Sequence, residues 1–259
     1  MNPACQNNPS IRLGMVVALP SEARAMLGKR QWLHSGDLAQ CSCGGSEDVN
    51  ILWVRCGVGT EKASRAAAFL VEQGVTHLGI AGVSGGLDPD LGSGQLVLAS
   101  EIVDEGGKRW QVAPAFKRIM TACFGRKIRN GSILTTAAPL LTDVQKKLWF
   151  ERTKALAVDM ESAAVAQVAS AAGLPFFALR AICDEAARSV PAALFDLVDD
   201  MGRPRPIKLI GSLIKQPSLI PVLMRMQGDF SRALRALRYG WQVCCHLKPV
   251  DFNGGEEQV

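Results

Sequence analysis

The sequence predicts a three-layer α/β fold, a sheet covered by helices on both faces, with a basic helical segment at its C-terminus. Three observations point there. Short, β-branched apolar runs alternate with stretches of helical periodicity. Those runs are continuously apolar rather than alternating, and glycine-rich turns or single carboxylates stand just after them. A strand buried on one face only would alternate apolar and polar residues, so continuous runs mean cover on both faces. Strand–helix alternation is the pattern of layered α/β domains.

Taken in order, IRLGMVVAL (11–19) reads as the first strand and 21–28 as the first helix. NILWVRC (50–56) is a strand followed by a helix over 60–73, and HLGIAGV (77–83) and GQLVLASEIV (94–103) are strands. A helix over 114–124 precedes the strand GSILTTA (131–137), and a helix over 143–153 precedes ALAVDM (155–160). The helix 161–173 leads to the last strand, PFFALRAI (175–182). Beyond residue 186 the pattern turns helical, interrupted by Pro191, Pro204, Pro206, Pro217 and Pro221. No repeat or low-complexity tract interrupts the chain. The expected organisation is a polar, disordered 1–10, one catalytic domain over 11–248 whose helical extension is 205–248, and a flexible tail over 249–259.

Bulk properties narrow the class. A chain of 259 residues, 48% hydrophobic and 20% charged, buries a substantial core and is not disordered. The eight cysteines are scattered, which fits reduced cytosolic thiols better than a disulfide framework. Cys41 and Cys43 lack a second ligand pair at zinc spacing, and His34, His77 and His246 stand far apart, so no metal site is expected. The N-terminus MNPACQNNPSIR lacks the basic-then-apolar order of a signal peptide, and no apolar run reaches the length of a membrane span. A cytoplasmic protein is expected. Charge is uneven: residues 1–202 balance 20 basic against 20 acidic residues, whereas 203–248 carry nine basic residues against Asp229 alone.

Two glycine-rich turns follow strands, Cys56-Gly57-Val58-Gly59-Thr60 and Ala81-Gly82-Val83-Ser84-Gly85-Gly86-Leu87. Glycine lets backbone approach a ligand, and a following helix N-terminus favours an anion. A dinucleotide site uses the same device, but GVGTEK has Lys62 where the third glycine belongs. Three carboxylates sit at strand ends: Glu22 after MVVALPS, Glu161 after ALAVDM, and Asp184 after PFFALRAIC. Each alone reads equally as a helix cap or a loop ion pair. Together they fit an open α/β sheet, where ligands bind beyond the strand ends.

These blocks carry a resemblance. GMVVALPSEARAM (14–26), CGVGTEKASRAAA (56–68) with GIAGVSGGLDPDLGSGQLVLA (79–99), and ALAVDMESAAVAQVASAAGLPFFALRAICDEA (155–186) resemble the family-1 nucleoside phosphorylases and the methylthioadenosine/S-adenosylhomocysteine nucleosidases. The continuation from Leu179 through Arg238 is similar to the hopanoid-associated phosphorylase branch, whose implied reaction removes adenine from adenosylhopane. The resemblance implies a nucleoside phosphorylase-like fold with a central mixed sheet, cleavage of a purine nucleoside's N-glycosidic bond, and a homo-oligomer. It implies Asp184 as the acid facing the purine and Glu22 as the carboxylate that activates water. It also implies Met160 and Glu161 at the ribose, Gly85 beside the purine, and Arg180 as a supporting cation.

Two positions depart from the nucleosidases: Val83 replaces a serine, with Ser84 one place later, and Cys183 replaces the serine before the aspartate. As a general acid, Asp184 would need its proton held by burial beside the apolar strand. No cofactor is implied. If phosphate is the acceptor, Gly57, Arg55 and Arg24 are the candidates to hold it; Glu22 would repel phosphate, so hydrolysis is favoured. Two alternatives stand beside this reading: a methylthioadenosine/S-adenosylhomocysteine-type nucleosidase, and a non-catalytic nucleoside-binding protein of the same fold, which gives no reason for a water-activating carboxylate.

In the C-terminal segment Phe230, Ala233, Leu234, Leu237 and Trp241 share one helical face, flanked by Arg232, Arg235 and Arg238. Two readings stand: a core-packing helix with a solvated basic edge, or contact with anionic lipid at the inner membrane face, which would suit a lipid-linked nucleoside. Nucleic acid fits worst, since little aromatic interleaving accompanies the charge.

Overall fold

The computed structural model describes residues 11–46, 49–191, 216–217 and 219–244. The expectations for 1–10, for 249–259 and for the extension before residue 216 lie outside the described residues. The chain runs β1 (Ile11–Val17), α1 (Pro20–Leu27), β2 (Leu33–Ser35), β3 (Leu38–Ser46), β4 (Val49–Arg55), α2 (Thr60–Glu72) and β5 (His77–Gly86). It continues β6 (Leu96–Asp104), β7 (Arg109–Gln111), α3 (Pro114–Phe124), β8 (Ile128–Thr135), α4 (Asp143–Thr153), β9 (Ala157–Asp159), α5 (Ser162–Ala171), β10 (Phe176–Asp184) and α6 (Leu219–Cys244).

Every predicted strand and helix through residue 184 has its counterpart. Three strands were not expected. β2 is exposed throughout, β7 buries only its central Trp110, and β3 contains the small, polar run CSCGGS. None carries the apolar run that marks a buried strand. Pro221 is a correction: it does not interrupt a helix but lies in the first turn of α6, where a missing N–H costs nothing.

The sheet is mixed, in the order β10–β6–β8–β9–β5–β1–β4–β3–β2, with β7 added beside β6. β5 also pairs with β10, so β10, β6, β8, β9 and β5 close into a ring. β1, β5 and β10 run parallel. Their C-terminal ends therefore lie at one edge, bringing the start of α1, residues 83–86 and residues 183–184 to one place.

The core fills both sides of this sheet. Met15, Val16, Trp53, Ile80, Leu98 and Leu179 are wholly buried. α6 packs on β10 and α1 and buries Ala233, Leu237 and Trp241, whose ring meets Trp53 edge-on with centroids 4.5 Å apart. Gly240 allows the close approach: a Cβ there would lie 3.2 Å from Leu96 and 3.3 Å from Leu179. The inner face of α6 is thus a core face, with Arg232, Arg235 and Arg238 exposed on its outer side.

Candidate active site

Beyond the strand ends lies a cavity of about 570 Å³. Its inner wall includes Glu22, Val83, Ser84, Gly85, Met160 and Glu161, and Cys183 and Asp184 complete that end. Pro139, Leu140, Val190, Val222, Met226 and Phe230 form an apolar outer wall, with Arg188 and Arg225 among them. Folding has brought the predicted carboxylates Glu22, Glu161 and Asp184 to one cavity from three separate segments.

Glu22 is almost wholly buried. Its Oε2 accepts the Leu19 N–H at 2.8 Å, half of a capping box, and its Oε1 accepts the Val83 N–H at 2.8 Å. The capping reading of this residue and its presence in the cavity are therefore both true. Burial pushes its carboxyl above the usual range, opposed by these N–H donors and by Arg180. Gly82 makes the meeting possible, since a Cβ there would lie 2.6 Å from the Arg180 guanidinium and 2.7 Å from Glu22 Oε1.

Arg180, from the middle of β10, is buried against Asp159 at 2.6 Å and lies 3.7 Å from Glu161. Asp159 does structural work at the start of α5: it accepts the Thr135 hydroxyl at 2.7 Å and the N–H groups of Glu161 and Ser162 at 3.2 and 3.1 Å. Glu161 accepts the Gly59 N–H at 2.9 Å and the Met160 N–H at 3.3 Å. Burial pushes Glu161 up to about 7, with Arg180 lowering it and the Asp159 charge raising it further. Three buried carboxyl groups thus share one buried guanidinium, and the inner cavity has an excess of acidic over basic side chains.

Asp184 departs from expectation. Instead of burial among apolar side chains alone, its Oδ2 meets the ammonium of Lys146, a fully buried residue of α4. The sequence reading missed Lys146. Its signal was weak: α4 reads as a surface helix rich in charge, and nothing local shows that one lysine points inward. The Cys183 thiol donates to Asp184 Oδ1 at 3.3 Å, so cysteine in place of serine weakens a hydrogen bond here rather than removing it. Burial and the neighbouring Asp184 charge raise the Cys183 thiol well above its ordinary value, which keeps it a donor. Val83 brings no hydroxyl; it offers its N–H to Glu22 instead. Ser84 is buried at the cavity, its hydroxyl without a partner among the described residues.

The candidate phosphate residues lie elsewhere. Arg24 is exposed on α1, and the Arg55 guanidinium stacks 5.0 Å from the Trp32 ring; neither lines the cavity. The Gly57 N–H is spent on the Ala18 carbonyl at 3.0 Å, and the Gly59 N–H on Glu161.

Comparison with known proteins follows the same lines. Residues 12–215 match the phosphorylase superfamily. The chain belongs to that superfamily. It is 26% identical over 202 residues to the 5′-methylthioadenosine/S-adenosylhomocysteine nucleosidase of Anoxybacillus flavithermus, covering 69% of this chain and 87% of that one. Against the enzyme of the same name from Shewanella halifaxensis it is 25% identical, covering 80% of this chain and 100% of the relative. Among solved structures, Helicobacter pylori 5′-methylthioadenosine/S-adenosylhomocysteine nucleosidase superposes with a TM-score of 0.71 at 16% identity, covering 93% and 100% of the two chains. Futalosine hydrolase from Helicobacter pylori superposes with a TM-score of 0.69 at 16% identity, covering 90% and 97%. The superfamily fold is shared throughout.

Proposed function

We propose that this superfamily member hydrolyses the N-glycosidic bond of a purine nucleoside and releases the free base. Breaking that bond sends its electron pair to the purine and leaves an oxocarbenium-like sugar. Asp184 gives a proton to the imidazole nitrogen of the departing purine. Glu161, with the Met160 backbone beside it, holds the ribose hydroxyls. Glu22 takes the proton of a water directed at the anomeric carbon. A carboxylate raised by burial is the better base near neutral pH, because general bases work best with a pKa near the working pH.

One observation carries the choice of water over phosphate. The backbone N–H groups of Gly59 and Val83, which could cradle an anion, already donate to Glu161 and Glu22. At about 4 Å and an effective dielectric of about 20, a carboxylate repels each phosphate charge by about 4 kcal/mol. Arg24 and Arg55 are not placed to offset this. The nucleosidase names of the sequence relatives support the same reading. In an ultraviolet assay of base release without phosphate, Glu22→Gln is expected to lose nearly all activity; a fully active variant would remove Glu22 from the mechanism.

The finer reading is a lipid-linked adenine nucleoside, adenosylhopane by the resemblance to the hopanoid-associated branch. The apolar outer wall of the cavity supports a substrate that carries an apolar substituent. Peripheral contact with anionic lipid through Arg232, Arg235 and Arg238 belongs to this reading, as does a homo-oligomer. No described helix is long and apolar enough to cross a membrane.

A further inference from the structure

Lys146 is the only fully buried lysine among the described residues, and its position is unfavourable by every local criterion. A buried ammonium is costly unless it is paired and hydrogen-bonded. It stands one turn into α4, near the positive end of the helix dipole, where a cation is disfavoured. Its neighbour Lys147 points to solvent. Something other than helix stability fixes Lys146 inward.

An ammonium has three N–H donors, and Lys146 spends all of them on the last residue of β10 and the segment that follows it. One goes to Asp184 Oδ2, one to the Glu185 carbonyl at 3.0 Å and one to the Arg188 carbonyl at 3.0 Å. The start of α4 is latched to the same segment. The Asp143 N–H donates to the Ser189 hydroxyl at 3.1 Å, which donates back to Asp143 Oδ1 at 2.8 Å, and the Val190 N–H donates to the Leu141 carbonyl at 2.7 Å. A true capping box between Thr142 and Gln145 fixes that helix start. Lys146 Nζ is therefore held behind the carboxylate, on the side of Oδ2, and Oδ1 accepts a hydrogen bond from the Cys183 thiol alone among the described residues.

Resting on the nucleosidase reading, we propose that Lys146 is a positioning residue for base departure, aiming Asp184 at the purine and balancing the charge that Asp184 acquires. As the C–N bond breaks, its electron pair goes to the purine, and a proton that Asp184 has taken from solvent on Oδ1, the oxygen Lys146 leaves free, passes to the purine nitrogen. The carboxylate left behind faces the Lys146 ammonium, and solvent returns the proton after the base departs. Lys146 touches neither substrate nor reacting atom.

The test separates proton-assisted departure from general damage. Lys146→Met and Lys146→Arg are compared with wild type on a purine riboside and on 4-nitrophenyl riboside, whose anion leaves without a proton. Loss of assistance to a general acid is expected to lower kcat on the purine riboside by about 100-fold for Lys146→Met. The loss on the nitrophenyl riboside should stay below about 5-fold and KM for both should change little, because the sugar site is intact. Lys146→Arg, which keeps a cation, should recover part of the purine activity. If Lys146→Met fails to fold by circular dichroism, the ratio of losses in Lys146→Arg decides, with the same selective loss expected on a smaller scale. Equal losses on both substrates in a folded variant would overturn the Lys146 assignment alone. A wild-type protein that hydrolyses the nitrophenyl riboside but releases no purine would overturn the purine reading, and with it this assignment.

Discussion

Asp184 and Glu161 show how environment divides labour among like groups. Asp184, with its side chain 23% exposed, faces a cation and a thiol; Glu161 is buried beside another carboxylate and shares its guanidinium. If Asp184 donates the proton, Asp184→Asn should lower base release by about 100-fold or more while circular dichroism stays native. A folded Asn variant with near-normal release would remove it from the reaction. If Glu161 holds the ribose, Glu161→Gln should impair ribosides far more than 2′-deoxyribosides, and equal losses would contradict that role. The positions of Glu22, Glu161 and Asp184 were legible because each follows an apolar run that had to be a strand. Lys146 was not, because the inward turn of one side chain is set by partners 38 to 42 residues away. Nor could the sequence show that the Gly59 N–H is taken by Glu161, a contact across 102 residues.

Among the elements, α6 depends most on long-range packing. Its apolar spacing made the inner face readable, but not that Trp241 would close on Trp53. Removing that ring should leave a cavity in the core. Trp241→Ala is expected to destabilise the fold by about 3–5 kcal/mol in urea titrations, the usual cost of emptying a buried aromatic site. A change below 1 kcal/mol would mean that α6 is peripheral to the core. The same helix ties to the active-site segment through Asp229, which is buried and paired with Arg232 and, at 2.6 Å, with Arg188. β2, β3 and β7 were illegible for the opposite reason. β2 and β7 are three-residue strands at the margins of the sheet and β3, between β4 and β2, holds the small, polar run CSCGGS; their shape comes from a neighbour's backbone, and their own sequences carry no apolar run to read.

At the scale of the whole molecule, burying three carboxylates with one arginine makes stability depend on pH. Glu161 titrates near 7 when folded and near 4.5 when unfolded, so the folded chain holds an extra proton between those values. Its contribution is therefore fully present below pH 4.5 and is lost as pH rises through 7. Glu22, also raised, acts in the same direction. The stability difference between wild type and Glu161→Gln, followed by urea unfolding from pH 4.5 to 7.5, should move against wild type as pH rises; a difference that is flat or reversed would contradict the buried environment assigned to Glu161. The same cluster of acidic groups, which takes up the backbone N–H donors of Gly59 and Val83, underlies the choice of water as nucleophile. The most direct test is chromatographic identification of the sugar product from a cleaved purine nucleoside, with and without inorganic phosphate. Free sugar formed at the same rate in both is the predicted result. A strict phosphate requirement with a sugar 1-phosphate as product would contradict it.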